Sequence, residues 1–300
     1  MGANSNAGRK LPVTLIAGPT ASGKSALAMR LAEERGAIVV NADSMQVYAE
    51  LRVLTARPSV VDEAQIPHRL YGTRTARESY SVADWLADMA PLVEAVRGGG
   101  PPLVIVGGTG LYFKALTEGL SPVPDIPEEV RLRWRAEARR LSPQILHAEL
   151  AARDPATAAR LRPSDPQRIV RALEVIEATG RPLSAWQAVT GTPLLREDEV
   201  ETLYVAPPRA VIYSRVDARL DAMMAAGALE EVRALIALDL PPDRPALRAH
   251  GVPHFAAHLQ GALSFAAALE RAKADTRHYV KRQLTWARRN MISWKIISTQ

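Results

Sequence analysis

Three observations make this sequence an α/β protein: a parallel sheet with helices on both faces, interrupted by an all-helical insertion. A glycine-rich loop, "GPTASGKS" at 18–25, stands between an apolar run and a helical pattern. Short apolar runs alternate with helical patterns as far as "LVIVGGTG", and parallel strands need such crossovers. Between 122 and 195 the alternation stops, and only helical periodicity remains. The expected organisation is a P-loop NTPase-like core over 1–121 and 196–300, with a helical insertion domain over 122–195.

The elements follow in order. "LPVTLIA" at 11–17 reads as a buried strand, and 24–35 as a helix with Leu27 and Leu31 on its apolar side. A second apolar run, 37–40, leads into "NADSMQVY". A helix over 81–96 opens on a Ser cap and is stopped by "GGGPP", after which "LVIVGGTG" gives a third buried strand. The Pro-rich stretches 118–130 and 191–200 have the composition of stiff connectors. Between them lie helical patterns at 128–141, 143–151, 155–161 and 166–179. The core resumes with a strand in "TLYVAPP", 202–208, followed mostly by helix, including a long one over 264–290 and a last apolar run at 294–297.

Composition narrows the function classes. No uninterrupted apolar run approaches a membrane span, and the polar N-terminal "MGANSNAGRK" lacks the apolar region of a secretion signal, so a cytoplasmic protein is expected. The absence of cysteine excludes disulfides, thiolate zinc sites and thiol nucleophiles. A net charge of +6 suits a polyanionic partner, but only six of the 38 basic residues are lysines, and an Ala-, Arg- and Pro-rich chain can be basic for compositional reasons.

The loop 18–25 matches GxxxxGK[ST] in its required context of strand before and helix after. Gly18, Pro19, Thr20, Ala21, Ser22 and Gly23 form a backbone cradle for phosphate, Lys24 neutralises phosphate oxygens, and the Ser25 hydroxyl is a ligand for Mg2+. Asp43 follows a strand whose carboxyl end belongs beside that loop, where open parallel sheets place ligands. By position alone Asp43 is equally a cap, a metal ligand or a general base. Thr109, with two glycine amides, ends a third strand at the same sheet edge.

"GPTASGKS", then Asp43, Ser44, Gln46 and Tyr48 as DSxQxY, "TARP" at 55–58, "PHRL" at 67–70, "GGTGLY" at 107–112, "DPQRIVRALEV" at 165–175 and "KRQLTWARR" at 281–289 occur in order along nearly the whole chain. Together they resemble the tRNA dimethylallyltransferases, also called tRNA isopentenyltransferases. The resemblance implies that the loop holds the diphosphate of dimethylallyl diphosphate, and that the five-carbon group goes to N6 of the adenosine just 3' of the anticodon, position 37. It implies Asp43 as general base, with Thr109 and an arginine of "SRVDARLDAMM" at the leaving group; spacing to "GALEEV" favours Arg219 over Arg215. It also implies tRNA contacts from Gln167, Arg168, Ile169, Val170 and Arg171, and from Asp43, Ser44, Met45, Gln46 and Thr109.

The adenine is stacked within its loop and must be extruded to react. Basic surface for the RNA backbone is expected from 131–171, which holds ten arginines, Arg131 among them, against four acidic residues. A second basic surface is the stripe Arg271, His278, Arg282 and Arg289 on the long C-terminal helix. A monomer is expected. Two departures stand out: Leu54 replaces a glycine common in the family, and Val252, Pro253 and His254 replace its Gly-Tyr-Lys/Arg aromatic and basic residues. The alternatives from other classes are a P-loop small-molecule or nucleoside kinase and an RNA-binding NTPase switch, and both are weakened because "LVIVGGTG" lacks the terminal Asp of a Walker-B metal site.

Overall fold

The structure is a computed structural model that describes residues 11–298; the polar N-terminal segment, residues 1–10, lies outside the described residues. Six strands, β1 (Val13–Ala17), β2 (Ile38–Asn41), β3 (His68–Arg69), β4 (Leu103–Gly107), β5 (Glu201–Val205) and β6 (Lys295–Ile297), form one sheet in the order β3-β2-β4-β1-β5-β6. Every pairing is parallel. β1 and β4 are buried along their whole length, as strands covered on both faces must be.

The period of two sorts their side chains onto two layers. Leu15, Val40 and Ile105 point to one layer, where Trp85, Met89 and Val93 of α3 (Val82–Arg97) and Phe113 and Leu116 of α4 (Gly110–Glu118) pack. Ile16, Val39, Val104 and Val106 point to the other, against Leu27, Ala28 and Ala32 of α1 (Lys24–Arg35). α3 starts where the sequence places its Ser cap: the Ser81 side chain accepts from Asp84 N–H, and Asp84 returns the bond in a capping box. α2 (Val60–Gln65), the two-residue strand β3 and helix α4 are not foreseen in the sequence reading.

A second compact unit, Glu118–Pro193, interrupts the first in sequence. It is helical among the described residues, with α5 (Glu128–Arg140), α6 (Pro143–Arg153), α7 (Pro155–Ala158), α8 (Pro166–Thr179) and α9 (Leu183–Gln187). Its own core joins Val130 and Trp134 of α5, Leu146 and Leu150 of α6, and Ile169, Leu173 and Val175 of α8. α6, α7 and α8 open on Ser142, Asp154 and Asp165, whose side chains accept from the first turn, each with Pro as the first helical residue.

The first unit continues through α10 (Arg209–Ala225), α11 (Ala228–Ala237), α12 (Val252–Leu259) and the 26-residue α13 (Phe265–Asn290). Ile212, Val216 and Leu220 of α10 pack with Val232, Phe255, Ala272 and Val280 and with Val47, Tyr48 and Leu51 from the segment after β2. That packing brings α10 and α13 over the carboxyl edge of the sheet, where the loops of interest lie. Among the described residues no helix is long and apolar enough to cross a membrane.

Candidate active site

The loop after β1 turns into α1 through Gly23, whose φ of 91° is open to glycine at little cost. The loop is closed on itself by Ser22 N–H donating to the Pro19 carbonyl at 3.2 Å, and the Lys24 ammonium donates to the same carbonyl at 3.2 Å. Burial pulls the Lys24 pKa down to about 8; Asp43 opposes that shift and Arg219 adds to it. Arg219 reaches the loop from α10, donating to Thr20 Oγ1 at 3.1 Å. Its pKa is also lowered by burial, with Asp43 acting against it. Arg215, one helical turn earlier, lines the same cavity of about 510 Å3 as Lys24, Ser25, Arg30 and Arg219. These cations converge with α1's amino terminus on one space, the electrostatics of an anion site.

At the end of β2 the buried Asn41 organises the next loop. Its Nδ2 donates to the Asp43 and Leu70 carbonyls at 2.9 and 3.0 Å, and its Oδ1 accepts from Asp43 N–H at 2.8 Å. Asp43 Oδ1 accepts from Met45 N–H at 3.0 Å, so the residue caps a turn and no helix follows it. A Cβ placed on Gly108 would lie 3.3 Å from Asp43 Oδ2, which puts that oxygen at the β4 loop. The two loops are tied by Thr109: its Oγ1 accepts from Ser44 N–H at 3.0 Å and lies 3.3 Å from Ser44 Oγ, while its own N–H donates to the Ala42 carbonyl at 3.2 Å. Gln283 of α13 reaches the same place, with Oε1 accepting from Thr20 N–H at 3.0 Å and Nε2 donating to the Gly108 carbonyl at 2.9 Å.

Beside these loops is a cavity of about 230 Å3 lined by Gly18, Thr109, Phe113, Tyr204, Trp286 and Met291, a surface suited to hydrocarbon. The Tyr204 hydroxyl is buried there without a hydrogen-bond partner among the described residues. On α13, Arg282 stands over the Tyr279 ring, 5.5 Å from its centre, and the His250 ring lies 4.4 Å from the same ring. Burial is the leading cause that lowers the His250 pKa, with Arg282 adding to it.

The fold thus brings Gly18 to Ser25, Asp43, Ser44, Thr109 and Arg219 to one sheet edge. Gln46 differs from a free recognition side chain: its amide nitrogen donates to the Thr55 and Ala56 carbonyls at 2.8 and 3.0 Å and fixes the "TARP" turn. In the second unit Gln167 and Arg168 are exposed and Arg171 is half-buried beside Glu174, whereas Ile169 and Val170 face the helical core. Side-chain contact with a partner by those two apolar residues is replaced by packing, because the helical period turns them inward. Arg131 on α5 is half-buried. Arg271, His278, Arg282 and Arg289 are all exposed along α13. Gln283 and Tyr204 receive no role in the sequence reading; Gln283 stands within the quoted "KRQLTWARR", and its position in that run is the signal that points to it.

A parallel sheet with a phosphate-binding loop at its carboxyl edge, faced by a carboxylate and by arginines, defines an enzyme of the P-loop α/β class. The family model described as IPP transferase matches residues 46–290, and the chain belongs to that family. It is 56% identical over 277 residues to a tRNA dimethylallyltransferase from Bradyrhizobium sp. (strain BTAi1), covering 92% of this chain and 91% of the relative. It is 51% identical over 294 residues to a tRNA dimethylallyltransferase from Azorhizobium caulinodans, covering 98% and 94%. Among solved structures, the full-length tRNA isopentenylpyrophosphate transferase from Bacillus halodurans is similar at 30% identity with a TM-score of 0.67, covering 96% of this chain and 90% of that one. A eukaryotic dimethylallyltransferase acting on tRNA is similar at 26% identity with a TM-score of 0.76, covering 92% and 69%. The resemblance, the P-loop NTPase-like fold and the transferase class expected from the sequence are all met by these findings, and neither nucleotide-consuming alternative is favoured by them.

Proposed function

We propose that this prenyltransferase moves a dimethylallyl group from dimethylallyl diphosphate to N6 of the adenosine immediately 3' of the anticodon, position 37, and releases diphosphate. The observation that carries the assignment of roles is the meeting of Asp43, Thr109, Lys24 and Arg219 at one sheet edge. The diphosphate lies in the loop Gly18 to Ser25, with Lys24 and Arg219 against its oxygens. The N6 lone pair attacks the first carbon of the allyl chain, and the bond from that carbon to the diphosphate oxygen breaks, leaving its electron pair on diphosphate. Asp43 Oδ2 takes the N6 proton as the new bond forms, which matters because an exocyclic adenine amine is a weak nucleophile. Lys24 and Arg219 stabilise the charge that develops on the leaving group.

Thr109 orients the Asp43 loop through Ser44 and adds a hydroxyl at the acceptor edge. The apolar cavity beside Gly18 and Thr109 suits the hydrocarbon tail. Among the described residues no cluster of three or more metal-ligating side chains exists, and Ser25 offers a single exposed hydroxyl. That donor set fits Mg2+ shared with diphosphate oxygens and water, where the ion would neutralise the leaving group. In the helical unit Arg131, Gln167, Arg168 and Arg171 are the residues for tRNA contact, and in the first unit Arg282 is for its backbone and Ser44, Met45 and Gln46 for its adenosine side; a tRNA substrate supports a cytoplasmic location.

The assay is transfer of labelled dimethylallyl groups to unmodified tRNA. Asp43→Ala is expected to lower turnover by about two to four orders of magnitude, the range for losing a general base, while tRNA affinity stays close to the parent's. Turnover unchanged by Asp43→Ala would remove the base from Asp43.

A further inference from the structure

Gln283 bridges two backbone groups whose roles cannot be exchanged. Thr20 N–H can only donate and the Gly108 carbonyl can only accept, so a carboxamide satisfies both and fixes its own orientation in doing so. One partner belongs to the phosphate loop, where Thr20 Oγ1 also holds Arg219. The other is the residue before Thr109, and a Cβ at Gly108 would fall 2.5 Å from Gln283 Nε2 and 3.3 Å from Asp43 Oδ2. The side chain is partly buried on α13, a helix whose Val280 and Ala287 are anchored in two different cores. β1 and β4 hold the two loops side by side, with Ala17 opposite Gly107, and α13 adds one amide that ties the diphosphate cradle to the acceptor edge beyond the strands.

We propose that Gln283 is a positioning residue for the transfer, resting on the site as read above: it sets the separation of the reacting groups and acts on turnover, not on the affinity for either substrate. Misplacement by about 1 Å of groups that must meet in line can cost as much as a hundredfold in rate. Methionine of similar length makes neither hydrogen bond. A glutamate carboxylate can accept from Thr20 N–H but repels the Gly108 carbonyl, and only its protonated form both accepts and donates.

Labelled transfer is measured for the parent, Gln283→Met and Gln283→Glu across pH, with donor KM, tRNA Kd and thermal midpoint followed in parallel. Gln283→Met is expected to lower kcat by about ten- to a hundredfold, with donor KM and tRNA Kd within about threefold of the parent's. The kcat of Gln283→Glu, taken as a ratio to the parent's, is expected to rise as pH falls. Asp43, Tyr279 and Arg282 beside it, and Arg219 on Thr20, are present in both proteins, so the ratio removes what they contribute equally. If Gln283→Met does not fold, the pH dependence of Gln283→Glu decides by itself. An active parent with a flat ratio, or a loss confined to KM, overturns the positioning role. An inactive parent overturns the reading of the site and this role with it.

Discussion

Lys24 has the sharpest expected pH signature among the site residues. Its ammonium is destabilised by burial to a pKa of about 8 from an ordinary 10.5, and a bound diphosphate would favour the protonated form. Binding of dimethylallyl diphosphate, already fully ionised in that range, should therefore take up a proton above pH 8, with affinity falling by up to about tenfold per pH unit. Titration calorimetry in buffers of different ionisation enthalpy reads that uptake. Lys24→Arg, which stays protonated, should flatten the dependence, and the same slope in both proteins would take the signature away from Lys24. For folding the sign is the reverse of a favourable ion pair. The unfolded chain binds more protons between about pH 8 and 10.5, so the cost of burying the charged amine is present below 8 and relieved above it. At this scale the loop was legible in full, since its spacing is itself the chemistry. Asp43 was legible as a position, but the division of labour between Oδ1 on Met45 and Oδ2 beside Gly108 depends on long-range packing. Gln283 lies 263 residues from Thr20 in sequence, and no local pattern announces that bond.

Among the elements, α1, α3, α8 and α13 lie within a residue of where periodicity and capping put them, because each carries its own start signal or a long amphipathic face. α4 was hidden by the "GGTG" run, which reads as the end of a strand, and by an apolar stretch too short to reveal a period. β3 contributes only two residues, and its pairing with β2 comes from the tertiary arrangement. The basic face of α13 was legible as a stripe and the basic character of 131–171 as an excess of arginines, and the structure leaves Arg282 and Arg168 exposed. If they meet tRNA phosphates, Arg168→Gln or Arg282→Gln should weaken tRNA binding and reduce the slope of log K against log salt by roughly one per lost contact. Filter binding across a salt series measures both quantities, and an unchanged slope would return either arginine to ordinary solvated surface.

Across the whole molecule, a phosphate loop that in isolation suggests nucleotide hydrolysis belongs to a chain of the IPP transferase family. The parallel sheet follows from alternating strands and helices, its strand order is set by tertiary packing, and the helical unit Glu118–Pro193 was legible as a break in that rhythm between Pro-rich stretches. What ties these parts into one claim is that the loop holds a leaving group and the carboxylate beside it deprotonates an acceptor. Mass spectrometry of the nucleosides of unmodified tRNA, after incubation with the purified protein and dimethylallyl diphosphate without ATP, reports donor and acceptor together. The expected product is a single adenosine, 3' of the anticodon, heavier by one dimethylallyl group that replaces an N6 hydrogen. Unmodified adenosine, or a product that appears only when ATP is supplied, would contradict the account.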